Sequence, residues 1–424
     1  MVTYWAPLIH VYQPPNQEIE ILKKIDKECY KPLFSIIEEH ENAKFCLNIN
    51  GVLIELFYEY GLGDTIDLIK NLVSENKIEI LGTAKFHPIL PLIPRKEAQH
   101  QIRMNEEINR KEFGRWERKG FFPPEMSISS NVAKFIRDLG YKWVIVSGIA
   151  CPIEWPYDRI YKSPNGLQLF FRDDILSNKI AFKSITTKEF VKELNNMYKD
   201  KKQDYKNNTY IITAMDGETF GHHIKNYEKT FLGKTLELIN KNNEIEIVFI
   251  SELDKYFPIA EEKIIPRESS WSTTIEDIKL GIPYPLWSHP ENKIHTYYWK
   301  IMRSMNNLIN LVDDLDITQN WEIEHYYTTA RWFYDKCLYS CPTWWANPDK
   351  GMWSPNLIYK GIELIMKAAL NAQIALVYAG KTDLAEGYFD SIAYYQGLLL
   401  MELYNITKNN IRKNRLKIEK KNTK

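Results

Sequence analysis

Cysteine is scarce. The 424 residues hold five, Cys29, Cys46, Cys151, Cys337 and Cys341, an odd and scattered set that does not read as a disulfide framework. Only Cys337 and Cys341 are close, and no second Cys or His pair at metal spacing follows them, so the expectation is free thiols in a reducing compartment. Net charge is absent as well: 55 Lys and Arg balance 55 Asp and Glu, which leaves no footprint for nucleic acid or an anionic membrane. No apolar run approaches the ~20 residues that span a bilayer. The segment Met1–Pro7 lacks the basic start and apolar stretch of a signal peptide. Together these absences predict a cytoplasmic chain with neither nucleic-acid nor membrane partners. Aromatics are in surplus, with 12 Trp, 26 Tyr and 18 Phe making 13% of the chain; much of that is core, and the rest suits a cleft that stacks on sugar rings.

From residue 1 to 255, short apolar runs alternate with amphipathic stretches. Trp5–Ile9, Phe45–Ile49, Ile78–Leu81, Gly120–Phe122, Trp143–Val146, Leu167–Phe171, Tyr210–Ala214 and Ile245–Ile250 read as buried strands. Helical patterns such as Thr65–Ser74 and Arg95–Lys111 lie between most of them. Strand then helix, repeated seven or eight times, predicts an α/β fold with a parallel sheet closed as a barrel or near-barrel. Its active site is expected at the carboxyl ends of the strands. Residues 256–290, rich in Pro, Ser and Trp, read as a long structured loop. Residues 291–407 read as an α-helical bundle, with Ser354-Pro355 starting one helix and Gly380 closing it. Residues 408–424 carry eight basic residues and one acid, a solvated basic tail.

Four polar clusters sit where apolar runs end. The first is His10-Val11-Tyr12-Gln13-Pro14-Pro15. In the second, Glu79-Ile80-Leu81-Gly82 leading to His87, strand alternation puts Glu79 and Leu81 on one face, aimed at the barrel interior. An unpaired buried carboxylate is costly, so Glu79 needs a partner or a function. The third, Phe121-Phe122-Pro123-Pro124-Glu125, delivers Glu125 to the mouth of the sheet, or else caps the next helix with it. The fourth is Asp216-Gly217-Glu218-Thr219-Phe220-Gly221-His222-His223. Zinc on His10, Asp216, His222 and His223 is one explanation, but adjacent histidines rarely reach one metal and no H-x-E, H-x-x-E-H or C-x-x-C spacing supports it. A carboxylate pair for glycoside cleavage, Glu125 with Asp216, is the other. It needs no cofactor and no metal.

Taken together the clusters resemble glycoside hydrolase family 57, whose members act on α-glucans with a (β/α)7 barrel followed by a helical region. His10-Val11-Tyr12-Gln13-Pro14 is similar to the family's first region, H-x-H-Q-P, with Tyr12 in place of the second histidine. Ile78–Gly82 resembles the second region, Phe122-Pro123-Pro124-Glu125 the third, and Met215-Asp216-Gly217-Glu218-Thr219-Phe220-Gly221 the fourth. The resemblance implies a retaining hydrolase of α-1,4-glucans or maltooligosaccharides, with Glu125 as nucleophile and Asp216 as acid/base. His10, Tyr12, Gln13, Glu79, His87, Glu218 and His222 would bind sugar, and Trp271 and Trp287 on the long loop would stack on it. A 4-α-glucanotransferase or branching enzyme would use the same residues. A metal-dependent carbohydrate deacetylase or mannosidase, or a non-catalytic glycan-binding protein, is the more distant alternative.

Overall fold

The computed structural model of the chain describes residues 1–154, 157–197, 208–318 and 320–422. The chain divides into two compact units, residues 1–279 and 280–424.

Among the described residues, ten strands organise the first unit: β1 (Thr3–Val11), β2 (Phe45–Ile49), β3 (Ile78–Ile80), β4 (Gly120–Phe121), β5 (Trp143–Ser147), β6 (Ile160–Lys162), β7 (Gln168–Arg172), β8 (Thr209–Asp216), β9 (Ile245–Ile247) and β10 (Ile259–Lys263). One sheet runs β3-β2-β1-β8, all parallel. Because β8 covers one edge of β1 from Thr3 to His10, β9 and β2 share the other, β9 at its start and β2 at its end. The second sheet runs β10-β6-β7-β5-β4. Two links join the sheets: Gly82 bridges to Phe121 beyond β3, and the amide of Asp173 donates to Ile212 of β8 at 2.8 Å. Strands β1, β2, β3, β4, β5, β7 and β8 thereby form the expected seven-stranded barrel.

Alternation divides the apolar residues into two cores. Trp5, Ile9, Val11, Leu47, Ile211 and Met215 face outward against helices, while Tyr4, Ala6, Leu8, Cys46, Ile212 and Ala214 fill the interior. Two described strands of the first unit were not expected, β6 and β10. The region expected to be a loop over 256–290 holds β10 and the short helix Ile275–Lys279.

The second unit contains the helices Lys293–Asp313, Trp321–Cys337, Pro355–Tyr378 and Thr382–Asn422. Ser354 accepts from the Leu357 amide at 3.4 Å as the N-cap, and Gly380 adopts φ 68° after the helix end. By length and composition Pro355–Tyr378 could cross a membrane, contrary to the reading of the sequence. Its apolar residues Ile358, Ile362 and Ile365 are fully buried and it packs against Lys293–Asp313 and Trp321–Cys337, as a bundle core helix does. The last helix carries the basic segment 408–422; residues 423–424 lie outside the described residues.

Candidate active site

The alternation that fills the barrel also builds the site. On β1 the inward series Tyr4, Ala6, Leu8 continues to His10, and on β8 Tyr210, Ile212, Ala214 continues to Asp216, its register partner. On β2 the next inward residue after Cys46 is Asn48, opposite His10; on β7 Arg172 follows Phe170. Apolar side chains occupy the lower layers, and the last inward position of these four strands is polar.

Asn48 Oδ1 accepts a hydrogen bond from His10 Nδ1–H, which fixes the tautomer and leaves Nε2 as the acceptor. The His10 ring stacks on Phe122 (centroids 4.9 Å, planes 8° apart) and on His87 (5.1 Å), and Tyr12 lies over His87 at 4.1 Å. Burial lowers the pKa of His10 against the opposing pull of Asp216 and Asn48; burial and the neighbouring His10 hold His87 well below the usual histidine range. The paired rings are therefore a neutral wall.

Pro123 and Pro124 bring the chain to Glu125, where it turns abruptly. Glu125 and Met126 adopt φ 57° and 49°, a left-handed conformation that costs a non-glycine residue about 1–2 kcal/mol. Three hydrogen bonds hold it: Met126 N to Pro123 O at 2.7 Å, Ser127 N to Pro124 O at 3.0 Å and Trp271 N to Glu125 O at 3.0 Å. Backbone strain so held is typical of a reactive side chain fixed in place. Glu125 Oε2 accepts from the Trp271 indole N–H at 2.7 Å, and Oε1 lies 3.8 Å from His87 Nδ1. The carboxyl is pushed up to about 8, first by burial and then by the charge of Asp216, while the indole bond pulls it down. Asp216 is raised by burial, with His10 and Arg172 opposing. Arg172 is buried and anchored on the Ala214 carbonyl (2.7 Å), Asp174 (2.7 Å) and Asn178 (2.9 Å); its guanidinium lies 5.8 Å from the Trp271 ring centroid.

A third carboxyl stands beside Glu125 and Asp216. Glu218, on the turn after β8, accepts from the Tyr30 hydroxyl and from Gln13 Nε2 (3.0 Å), and is raised to about 7 by burial and by Asp216. Tyr30 ends a π-helical turn, Asp26–Tyr30, that also carries Glu28. Glu28 accepts from His222 Nδ1 at 2.5 Å. Gly221 makes this approach possible: its φ is +124°, and a Cβ there would sit 2.0 Å from the Glu28 carbonyl oxygen.

The structure thus brings together His10, Tyr12, His87, Glu125, Trp271 and Asp216, with Gln13 and Glu218 beside them, while His222 is turned to Glu28. Two expected sugar-binding residues lie elsewhere. Glu79 does face inward, but it is the register partner of Cys46, one inward layer below Asn48. Its carboxylate is bound by the Ser251 hydroxyl at 2.6 Å and Lys119 Nζ at 3.1 Å, toward the amino ends of the strands. Parity fixed its face, and only the register shows its depth. Trp287 belongs to the second unit, where it is fully buried and its carbonyl accepts the Trp299 indole N–H at 2.7 Å. Trp344 and Trp345 are half-buried there, edge to face at 4.7 Å. Sequence reasoning missed Asn48, Arg172, Tyr30 and Glu28. Among the described residues no three His, Cys, Asp or Glu side chains converge to hold a metal ion.

The sequence model for glycosyl hydrolase family 57 matches residues 5–266. An α-amylase of Pyrococcus horikoshii is 27% identical over 295 residues, 64% of this chain and 44% of that protein. The chain spans less than half the length of this relative. In fold, a branching enzyme of P. horikoshii superposes with a TM-score of 0.70 at 15% identity, covering 94% of this chain and 96% of that one. A 4-α-glucanotransferase of Thermococcus litoralis gives 0.64 at 20%, covering 89% and 60%.

Proposed function

Because the chain belongs to glycosyl hydrolase family 57, we propose that it cleaves α-1,4-glucans with retention of anomeric configuration, Glu125 acting as nucleophile and Asp216 as acid/base. The observation that carries this reading is the pair itself. Burial, with the charge of Asp216 added to it, raises the Glu125 carboxyl to about 8, so a proton is held on it near neutral pH while a second buried carboxyl stands at the same barrel mouth. Before a sugar binds, that proton is favoured on Glu125, since His10 and Arg172 both favour the Asp216 anion. A bound sugar reverses the preference. Positive charge developing at the anomeric carbon stabilises the Glu125 carboxylate, and the proton is then needed on Asp216, which delivers it to the leaving oxygen. The Trp271 indole N–H, already on Glu125, favours the same redistribution. Asp216 then takes a proton from the incoming hydroxyl as the covalent glycosyl-enzyme is released.

Transfer to a sugar hydroxyl instead of water is the second reading, favoured by the names of the glucanotransferase and branching enzyme that share the fold. Product analysis on maltooligosaccharides and soluble starch separates the readings. Shorter reducing products indicate hydrolysis, chains longer than the substrate indicate transfer, and unchanged material would refute both.

A further inference from the structure

We propose that the amino-terminal mouth of the barrel holds a second oligosaccharide site, built around Glu79 and distinct from the site at the carboxyl ends. A cavity of about 610 Å³ opens there, within the range that takes a small organic ligand. Its residues come from the starts of β3, β5 and β7 and from the segments leading into β4 and following β9. All belong to the first unit.

The lining is organised before any ligand arrives. Trp143 Nε1–H donates to Ser251 Oγ at 2.9 Å, Ser251 donates to Glu79 Oε1 at 2.6 Å, and Lys119 Nζ donates to Oε2 at 3.1 Å. The carboxylate is thus oriented by two elements. Apolar surface comes from Phe113, Phe249 and Trp116, whose indole N–H is fixed on the Ile80 carbonyl at 3.0 Å. Asn76 and Gln168 add amide groups that both donate and accept.

The charge balance selects the ligand class. Four cationic and four carboxylate side chains line the cavity. A phosphate would meet as many anions as cations, and a divalent cation would have to displace Lys119 from Glu79. A neutral polyhydroxylated ligand can donate to the carboxylates, accept from the lysines and lay its C–H faces on the aromatics. Given the proposed α-glucan activity, on which this ligand class rests, the occupant is a short stretch of α-glucan, and the cavity would tether the enzyme to long chains.

Equilibrium dialysis with labelled maltotriose tests this, using the full chain carrying Asp216→Asn to suppress turnover. Two equivalents should bind. Lys142→Ala or Gln168→Ala, each added separately at the cavity, should leave one equivalent. In the chain with native Asp216, the same two substitutions should weaken retardation in starch-containing gels at least threefold while turnover of maltotriose-sized substrates stays within twofold. One equivalent in the Asp216→Asn parent, or two equivalents persisting in both cavity variants, would overturn the second site while leaving the α-glucan reading intact. No maltotriose bound, together with no turnover of starch, would instead overturn that reading.

Discussion

Glu125, Asp216 and Glu218 share one barrel mouth, and burial raises the pKa of all three. In the proposed mechanism this arrangement serves proton transfer, at the expense of the fold. Glu125 moves from an ordinary 4.5 to about 8 on folding. Between those values the native state keeps a proton that the unfolded chain has released, so stability falls as pH rises through this window, and the full loss persists above it. At about 1.4 kcal/mol per pK unit the loss is on the order of a few kcal/mol. Glu125→Gln, which removes the charge, is expected to raise the melting temperature by several degrees near pH 8 and hardly at all near pH 4.5; equal gains at both would contradict the shift. Trp271→Phe keeps the ring and removes the N–H that favours the Glu125 anion. The alkaline limb of kcat/KM should then move upward in pH, and kcat/KM at its optimum should fall roughly tenfold, about 1.4 kcal/mol of lost transition-state stabilisation. An unshifted limb would show that the bond does not tune the carboxyl.

At the scale of elements, the turn after β8 and the π-helical turn Asp26–Tyr30 are locked together through Gly221, Glu28 and Tyr30. Gly221→Ala must displace the Glu28 carbonyl, so it should destabilise the protein by more than the ~1 kcal/mol typical of point mutants and reduce turnover with it; urea unfolding and initial rates check both. A variant as stable as the parent would mean that the two turns move independently. The seven barrel strands were legible because each is a compact apolar run, and the four polar clusters because each ends such a run. Strand β10, Ile259-Ala260-Glu261-Glu262-Lys263, was not: it is a largely exposed edge strand, where charge replaces apolar alternation. The same logic explains the partial reading of the site. Arg172 follows the run Leu167–Phe171 as His10 follows the run Trp5–Ile9, and Asn48 continues the inward parity of Cys46, so both carried a signal in the sequence. Tyr30 and Glu28 carried none, since only the π-turn aims them at the loop after β8. Glu79 shows the limit of parity, which assigns a face of the barrel without assigning a depth.

At the scale of the molecule, the proposed chemistry belongs to a single barrel mouth and to two carboxyl groups. Among the described residues no three His, Cys, Asp or Glu side chains converge to hold a metal ion. Turnover is accordingly expected to survive exhaustive chelation, and activity lost to a chelator and restored by zinc or manganese would overturn the two-carboxylate mechanism. Azide rescue on an activated aryl α-glucoside tests the division of labour between those carboxyls most directly. Glu125→Ala lacks the atom that forms the covalent bond, so azide entering the vacated space should restore turnover and give the inverted β-glycosyl azide. Asp216→Ala still forms the glycosyl-enzyme, so azide should attack from the side the water would use and give the retained α-azide. Near-normal starch turnover by Glu125→Ala, or the two azide configurations exchanged between the variants, would contradict the assignment.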